Sequence, residues 1–203
     1  MVIPSHFIGS NLILSSKVLG KLSPEDFATF CHEQRDLRIE RNENGEIEIM
    51  APAYSLTGRI NAEINRQLAN WNVQHRLGLV FDSSAGFYLD EERNTMRSPD
   101  ASFIYQERFD RLSTKDKEGF LPLCPDFIIE LKSTSDSLIH LQEKMERYIS
   151  YGAKLGWLID VSHEIIYIYG EENHHDVYKG LEGTLSASPL LPSFELELSL
   201  LRN

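Results

Sequence analysis

A mixed α/β fold is what this sequence predicts, on three observations. Apolar and polar residues alternate at period two in several short runs, as strands require, and two longer segments repeat apolar residues at steps of three and four, as helices with one buried face require. The second helical segment lies between strand-like runs at 126–133 and 155–161. Strand, helix, strand in that order is the pattern of a crossover between parallel strands.

Residues 1–22 carry no strong period and read as an irregular lead-in. Ser23-Pro24-Glu25-Asp26 then places a capping serine, a proline at the first helical position and acids in the first turn, so a helix should run to about Gln34. Runs 37–41 and 46–50 alternate on either side of Asn42-Glu43-Asn44-Gly45 and predict a hairpin with a polar outer face, closed by Pro52. Ile60, Ile64, Leu68 and Trp71 recur at helical spacing within 55–77, and Gly78 is placed to cap that helix.

Short strands are expected at 79–81 and 87–89, then a charged loop at 90–94. The run 97–105 reads as one strand started by Pro99, which cannot sit mid-sheet. Residues 106–125 predict a short helix or turn. After the 126–133 strand, Ser135-Asp136-Ser137 caps a helix whose stripe is Leu138, Leu141, Met145 and Tyr148, stopped by Gly152. A buried strand at 155–161, a hairpin partner at 163–170, a weaker edge at 177–179 and a C-terminal strand in 186–203 complete the reading. No repeat, low-complexity stretch or Pro-rich linker divides the 203 residues, so one domain is expected.

The composition, 41% hydrophobic and 25% charged, is that of a soluble globular chain and argues against disorder. No apolar run approaches a membrane span and the N-terminus lacks a secretory signal, so a cytoplasmic address is expected. Cys31 and Cys124 have no metal or redox spacing and read as ordinary thiols. A formal charge of -11 opposes non-specific grip on nucleic acid, although a bound cation and local basic groups can offset it.

Chemistry concentrates in Asp100 and in Asp126-Phe127-Ile128-Ile129-Glu130-Leu131-Lys132-Ser133. Side chains alternate along a strand, so Phe127, Ile129 and Leu131 share one face while Ile128, Glu130 and Lys132 share the other. Charges on otherwise apolar strands need a partner or a metal. If the two strands are neighbours, Asp100 meets Glu130, and two carboxylates suit a hard cation such as magnesium or manganese, with Lys132 beside it to assist water. The competing reading is a surface strand on which Glu130 and Lys132 form an ordinary ion pair.

Four segments in order resemble the Uma-two endonuclease family of the PD-(D/E)XK nuclease superfamily. They are Gly58 through Asn65, Ser98-Pro99-Asp100, Phe127 through Ser133, and Leu141-Gln142-Glu143-Lys144 with Tyr148 and Gly152 to Gly156-Trp157-Leu158-Ile159-Asp160. The resemblance spans roughly residues 24–169. It implies a restriction-endonuclease-like core, a central mixed β-sheet flanked by helices, and metal-dependent hydrolysis of phosphodiesters in DNA. Asp100 and Glu130 would hold magnesium or manganese, supported by the helical acid Glu63. Lys132 would be the signature lysine, with Lys144 on the following helix as rival or partner, and Gln142 is a weaker candidate. A homodimer is expected because two symmetric sites cut two strands most simply.

Other features read as structural. His174-His175-Asp176 would point adjacent imidazoles to opposite faces of a solvated strand, and Trp71 and Trp157 sit in apolar settings as core. Neither a phosphate-cradling glycine pattern nor an acyl-hydrolase elbow is present. Two other classes stay open: a nuclease-fold module that binds nucleic acid or a protein without cutting, and an interaction protein without metal.

Overall fold

In the computed structural model, residues 5–15, 22–171 and 175–202 are described. The helices are α1 (Pro24–Glu33), α2 (Ser55–His75), α3 (Gln106–Asp110), α4 (Thr114–Lys117) and α5 (Leu138–Ser150). Two six-stranded sheets carry the architecture. The first, in the order β1-β2-β4-β3-β7-β6, is antiparallel and comprises β1 (Ser5–Ile8), β2 (Asn11–Leu14), β3 (Arg38–Arg41), β4 (Ile47–Met50), β6 (Phe87–Tyr88) and β7 (Met96–Arg97).

The second sheet runs β12-β11-β10-β9-β8-β5 and is mixed. Its strands are β5 (Gly78–Asp82), β8 (Ala101–Tyr105), β9 (Phe127–Leu131), β10 (Leu155–Asp160), β11 (Ile165–Gly170) and β12 (His175–Lys179). Only β9 and β10 pair in parallel, and α5 makes the crossover between them, as the strand–helix–strand pattern predicts.

Strand β9 is buried on both faces. Phe127, Ile129 and Leu131 pack with Ile60, Ile64, Leu68 and Trp71 of α2, while Ile128 packs with Leu141, Met145 and Tyr148 of α5. Each such side chain contributes roughly 1.5–3 kcal/mol through loss of water contact. The C-terminal tail forms a two-stranded sheet, β13 (Thr184–Ser186) with β14 (Glu195–Glu197), and adds Phe194, Leu196, Leu198 and Leu201 to the α2 side. Trp71 and Trp157 are core, and Cys31 and Cys124 are unbridged thiols that burial pushes up to about 11 and about 12.

Four expectations change. The lead-in is not irregular, because β1 and β2 form a hairpin that joins the first sheet through β4, with only Ile13 of β2 fully buried; pairing with a partner strand, not a local period, makes it a strand. Its turn residue Gly9 lies at φ +60, and a Cβ there would meet the Ser135 carbonyl at 2.4 Å. The cap of α2 is Arg76, at φ 52; Gly78 instead starts β5, where a Cβ would come within 2.0 Å of the Ile104 carbonyl.

The run 97–105 is two strands. Met96–Arg97 belongs to the first sheet and Ala101–Tyr105 to the second, with Ser98-Pro99-Asp100 as the passage between them. Finally, the 37–50 hairpin does not turn its polar face to water. Glu40, Arg41 and Glu48 are at most 1% exposed, because cations from β7 and α5 neutralise the two acids and backbone carbonyls of Leu22, Arg93 and Asn94 accept from Arg41. His174 lies outside the described residues; His175 and Asp176 are exposed on β12.

Candidate active site

Antiparallel β8 and β9 pair Ser102 with Ile128 and Ala101 with Ile129, and one further step of this register sets Asp100 opposite Glu130. Directly opposed side chains share a face with Cβ atoms roughly 4.5–5.5 Å apart. The Leu131 N–H donates to Asp100 Oδ2 at 2.9 Å, tying the end of β9 to that carboxylate. From α2, Asn61 donates to Asp100 Oδ1 at 3.3 Å, and Asn65 donates to the Asp100 carbonyl at 2.9 Å.

Glu130 is 4% exposed. Lys144 Nζ and the Tyr148 hydroxyl both reach its Oε1 at 2.9 Å, one helical turn apart on α5. Burial pushes the Glu130 carboxyl up to about 7; Lys144 opposes that rise, and the negative charges of Asp100 and Glu40 reinforce it. Burial would lower the Lys144 ammonium, yet Glu130 and Glu40 together hold it above its ordinary value.

The first sheet closes the other side. Glu40 on β3 accepts from Lys144 at 3.0 Å and from the Ser98 N–H at 2.9 Å through one oxygen, and from Arg97 Nη1 at 2.9 Å through the other. The same Arg97 nitrogen lies 2.9 Å from Glu48 Oε2. Burial works upward on both acids, but Lys144 and Arg97 bring Glu40 below its usual range, and Arg97 with His140 brings Glu48 down to about 2. Arg38, also on β3, reaches Asp100 Oδ1 at 3.3 Å.

These groups face a cavity of about 320 Å3 whose lining includes Arg38, Asn61, Asp100, Glu130 and Lys144. Five acids line it against two permanent cations, Arg38 and Lys144, so its charge favours a positive guest. Among the described residues no set of three or more His, Cys, Asp or Glu side chains is arranged to hold a metal. Two carboxylates on opposed strands nonetheless match the donor chemistry of a hard cation that completes its shell with water and substrate oxygen.

Asp100, Glu130 and Lys144 therefore meet in one place. Lys132 lies one residue beyond the end of β9, where strict alternation lapses, and its Nζ pairs with Asp160 at 3.5 Å outside the cavity lining. Glu63 bonds Arg66 and Gln67 on α2, and Gln142 is half-buried on α5; neither lines the cavity. Sequence reasoning missed Arg38, Glu40, Glu48 and Arg97. A signal existed: the hairpin register opposes Glu40 to Glu48, and like charges directly opposed demand a cation between them.

The comparisons agree with this architecture. The fold is shared with a solved structure described as a "putative nuclease belonging to DUF820 from Anabaena variabilis ATCC 29413", which matches with a TM-score of 0.73 at 17% identity, covering 89% of this chain and 97% of that one. Residues 24–200 match the Uma2 family model, described as "Putative restriction endonuclease", and the chain belongs to that family. No curated protein matches it. Among the described residues no helix is long and apolar enough to cross a membrane.

Proposed function

We propose that this protein is a magnesium- or manganese-dependent endonuclease that hydrolyses phosphodiester bonds in DNA in the cytoplasm, working as a homodimer. The observation that carries the reading is the convergence of Asp100, Glu130 and Lys144 on one cavity from two adjacent strands and the crossover helix. Asp100 and Glu130 are the residues that would hold the cation. When bound, it supplies Lewis acidity, polarising a phosphoryl oxygen and acidifying water. Lys144 has three N–H donors, of which Glu130 and Glu40 take two; the third can orient water or meet the developing negative charge. Lys144 is favoured over Lys132 on its reach to Glu130, and Glu63 and Gln142 act at most at a distance.

The test is plasmid cleavage with magnesium, manganese or a chelator. The metals should nick or linearise the plasmid, and Asp100→Ala should fold but leave it intact; equal cleavage by that variant ends the proposal. A second reading, a non-catalytic module binding nucleic acid or protein, is favoured by the occupation of Glu130 by Lys144 and Tyr148 and by the charge of -11. Calorimetric cation binding without cleavage of any DNA or RNA selects it.

A further inference from the structure

The cavity holds two permanent cations in unequal situations. Lys144 is 7% exposed in its side chain and commits two of its three N–H donors to carboxylates, which leaves a single donor for the reacting group. Arg38 is 35% exposed in its side chain. One of its nitrogens, Nη2, bonds the Ser98 carbonyl at 3.2 Å and Asp100 at 3.3 Å, both long contacts, while Nε is shielded from water and has no hydrogen-bond partner among the described residues. An N–H without water or partner is costly, and because the Arg38 side chain is part-exposed it can turn to bring that donor to an arriving oxygen.

The geometry points to Arg38 as the residue that grips a substrate phosphate at this cavity. A guanidinium offers donors in a planar fork that matches two phosphate oxygens at once. Its place beside Asp100 orders events: once a cation neutralises that carboxylate, the long Arg38–Asp100 contact can be exchanged for a phosphate oxygen without stranding a negative charge. A guanidinium keeps its charge throughout the physiological pH range, so the grip does not depend on titration. The identity of the anion as a nucleic-acid phosphate rests on the proposed function; the grip itself does not require hydrolysis.

The test reads binding, not turnover: fluorescence anisotropy of a labelled DNA oligonucleotide in calcium, a hard cation with the same preference for oxygen ligands, over a salt series. Arg38→Gln should raise Kd about tenfold and flatten the dependence of log Kd on log salt by about one phosphate contact. Arg38→Lys should keep the salt dependence yet bind severalfold more weakly, because it keeps charge and loses the fork, and it serves if the glutamine variant does not fold. Arg111→Gln, at an exposed surface position, is the control and should bind as the parent does. Parent-like binding by Arg38→Gln, an equal loss in Arg111→Gln, or no oligonucleotide binding by the parent overturns the proposal. Binding that depends on Arg38, while no DNA is cut in magnesium or manganese, upholds it and removes hydrolysis instead.

Discussion

Glu40 reaches from the first sheet to hold Lys144 of the crossover helix at 3.0 Å, and both residues are buried. The ammonium is thereby fixed between two acids from different sheets, Glu40 and Glu130.

If Glu40 acts through Lys144, their substitutions should not add. Glu40→Gln should lower kcat about 10- to 100-fold with little change in KM, and should cost almost nothing further once Lys144→Met is present. A double-mutant cycle on plasmid cleavage, with thermal melts to verify folding, measures this. Additive losses would mean that the two residues work independently.

Arg97 neutralises Glu40 and Glu48 through a single nitrogen, all three being buried. Removing it strands two buried carboxylates, so Arg97→Met should cost about 3–5 kcal/mol. Arg97→Lys should recover only part of this, since an ammonium lacks the fork. Urea unfolding of the three proteins is the measurement.

Glu130 and Glu48, shifted in opposite directions, give stability opposite slopes with pH. Glu130, raised from 4.5 to about 7, binds more protons folded than unfolded in that interval, so its contribution is full below 4.5 and is lost as pH rises through about 7. Glu48, lowered from 4.5 to about 2, contributes above 4.5 and loses that contribution as pH falls toward 2. Urea midpoints across this range should therefore flatten on the alkaline side in Glu130→Gln and on the acid side in Glu48→Gln. Parallel curves for parent and variants would contradict the assignment.

Gly78 is required by the approach of β5 to β8. Gly78→Ala should destabilise by about 1–3 kcal/mol or more, because the nearest obstacle is the Ile104 carbonyl and backbone cannot swing aside as a side chain can. Differential scanning calorimetry would detect the fall in Tm.

Much of this site is legible in the chain because it obeys local rules. The stripe Ile60, Ile64, Leu68, Trp71 becomes the buried face of α2, and alternation along β9 correctly separates Ile129 from Glu130. Pro99 stands just before β8, whose register with β9 sets Asp100 opposite Glu130. Lys132 and Lys144 could not be ranked from spacing, since side-chain direction one residue past a strand end depends on what it meets, here Asp160. Glu40 looked solvent-facing because its partners Arg97 and Lys144 lie 57 and 104 residues away. Long-range pairing of that kind leaves no period behind it.

The passage Ser98-Pro99-Asp100 joins β7 in one sheet directly to β8 in the other. Three residues leave almost no slack, so any parting of the sheets must tug Asp100 away from its opposite number. The facing of Asp100 and Glu130 and the closure of one layer on the other are thus mechanically tied at this joint, and loosening it should part the two carboxylates before the protein unravels.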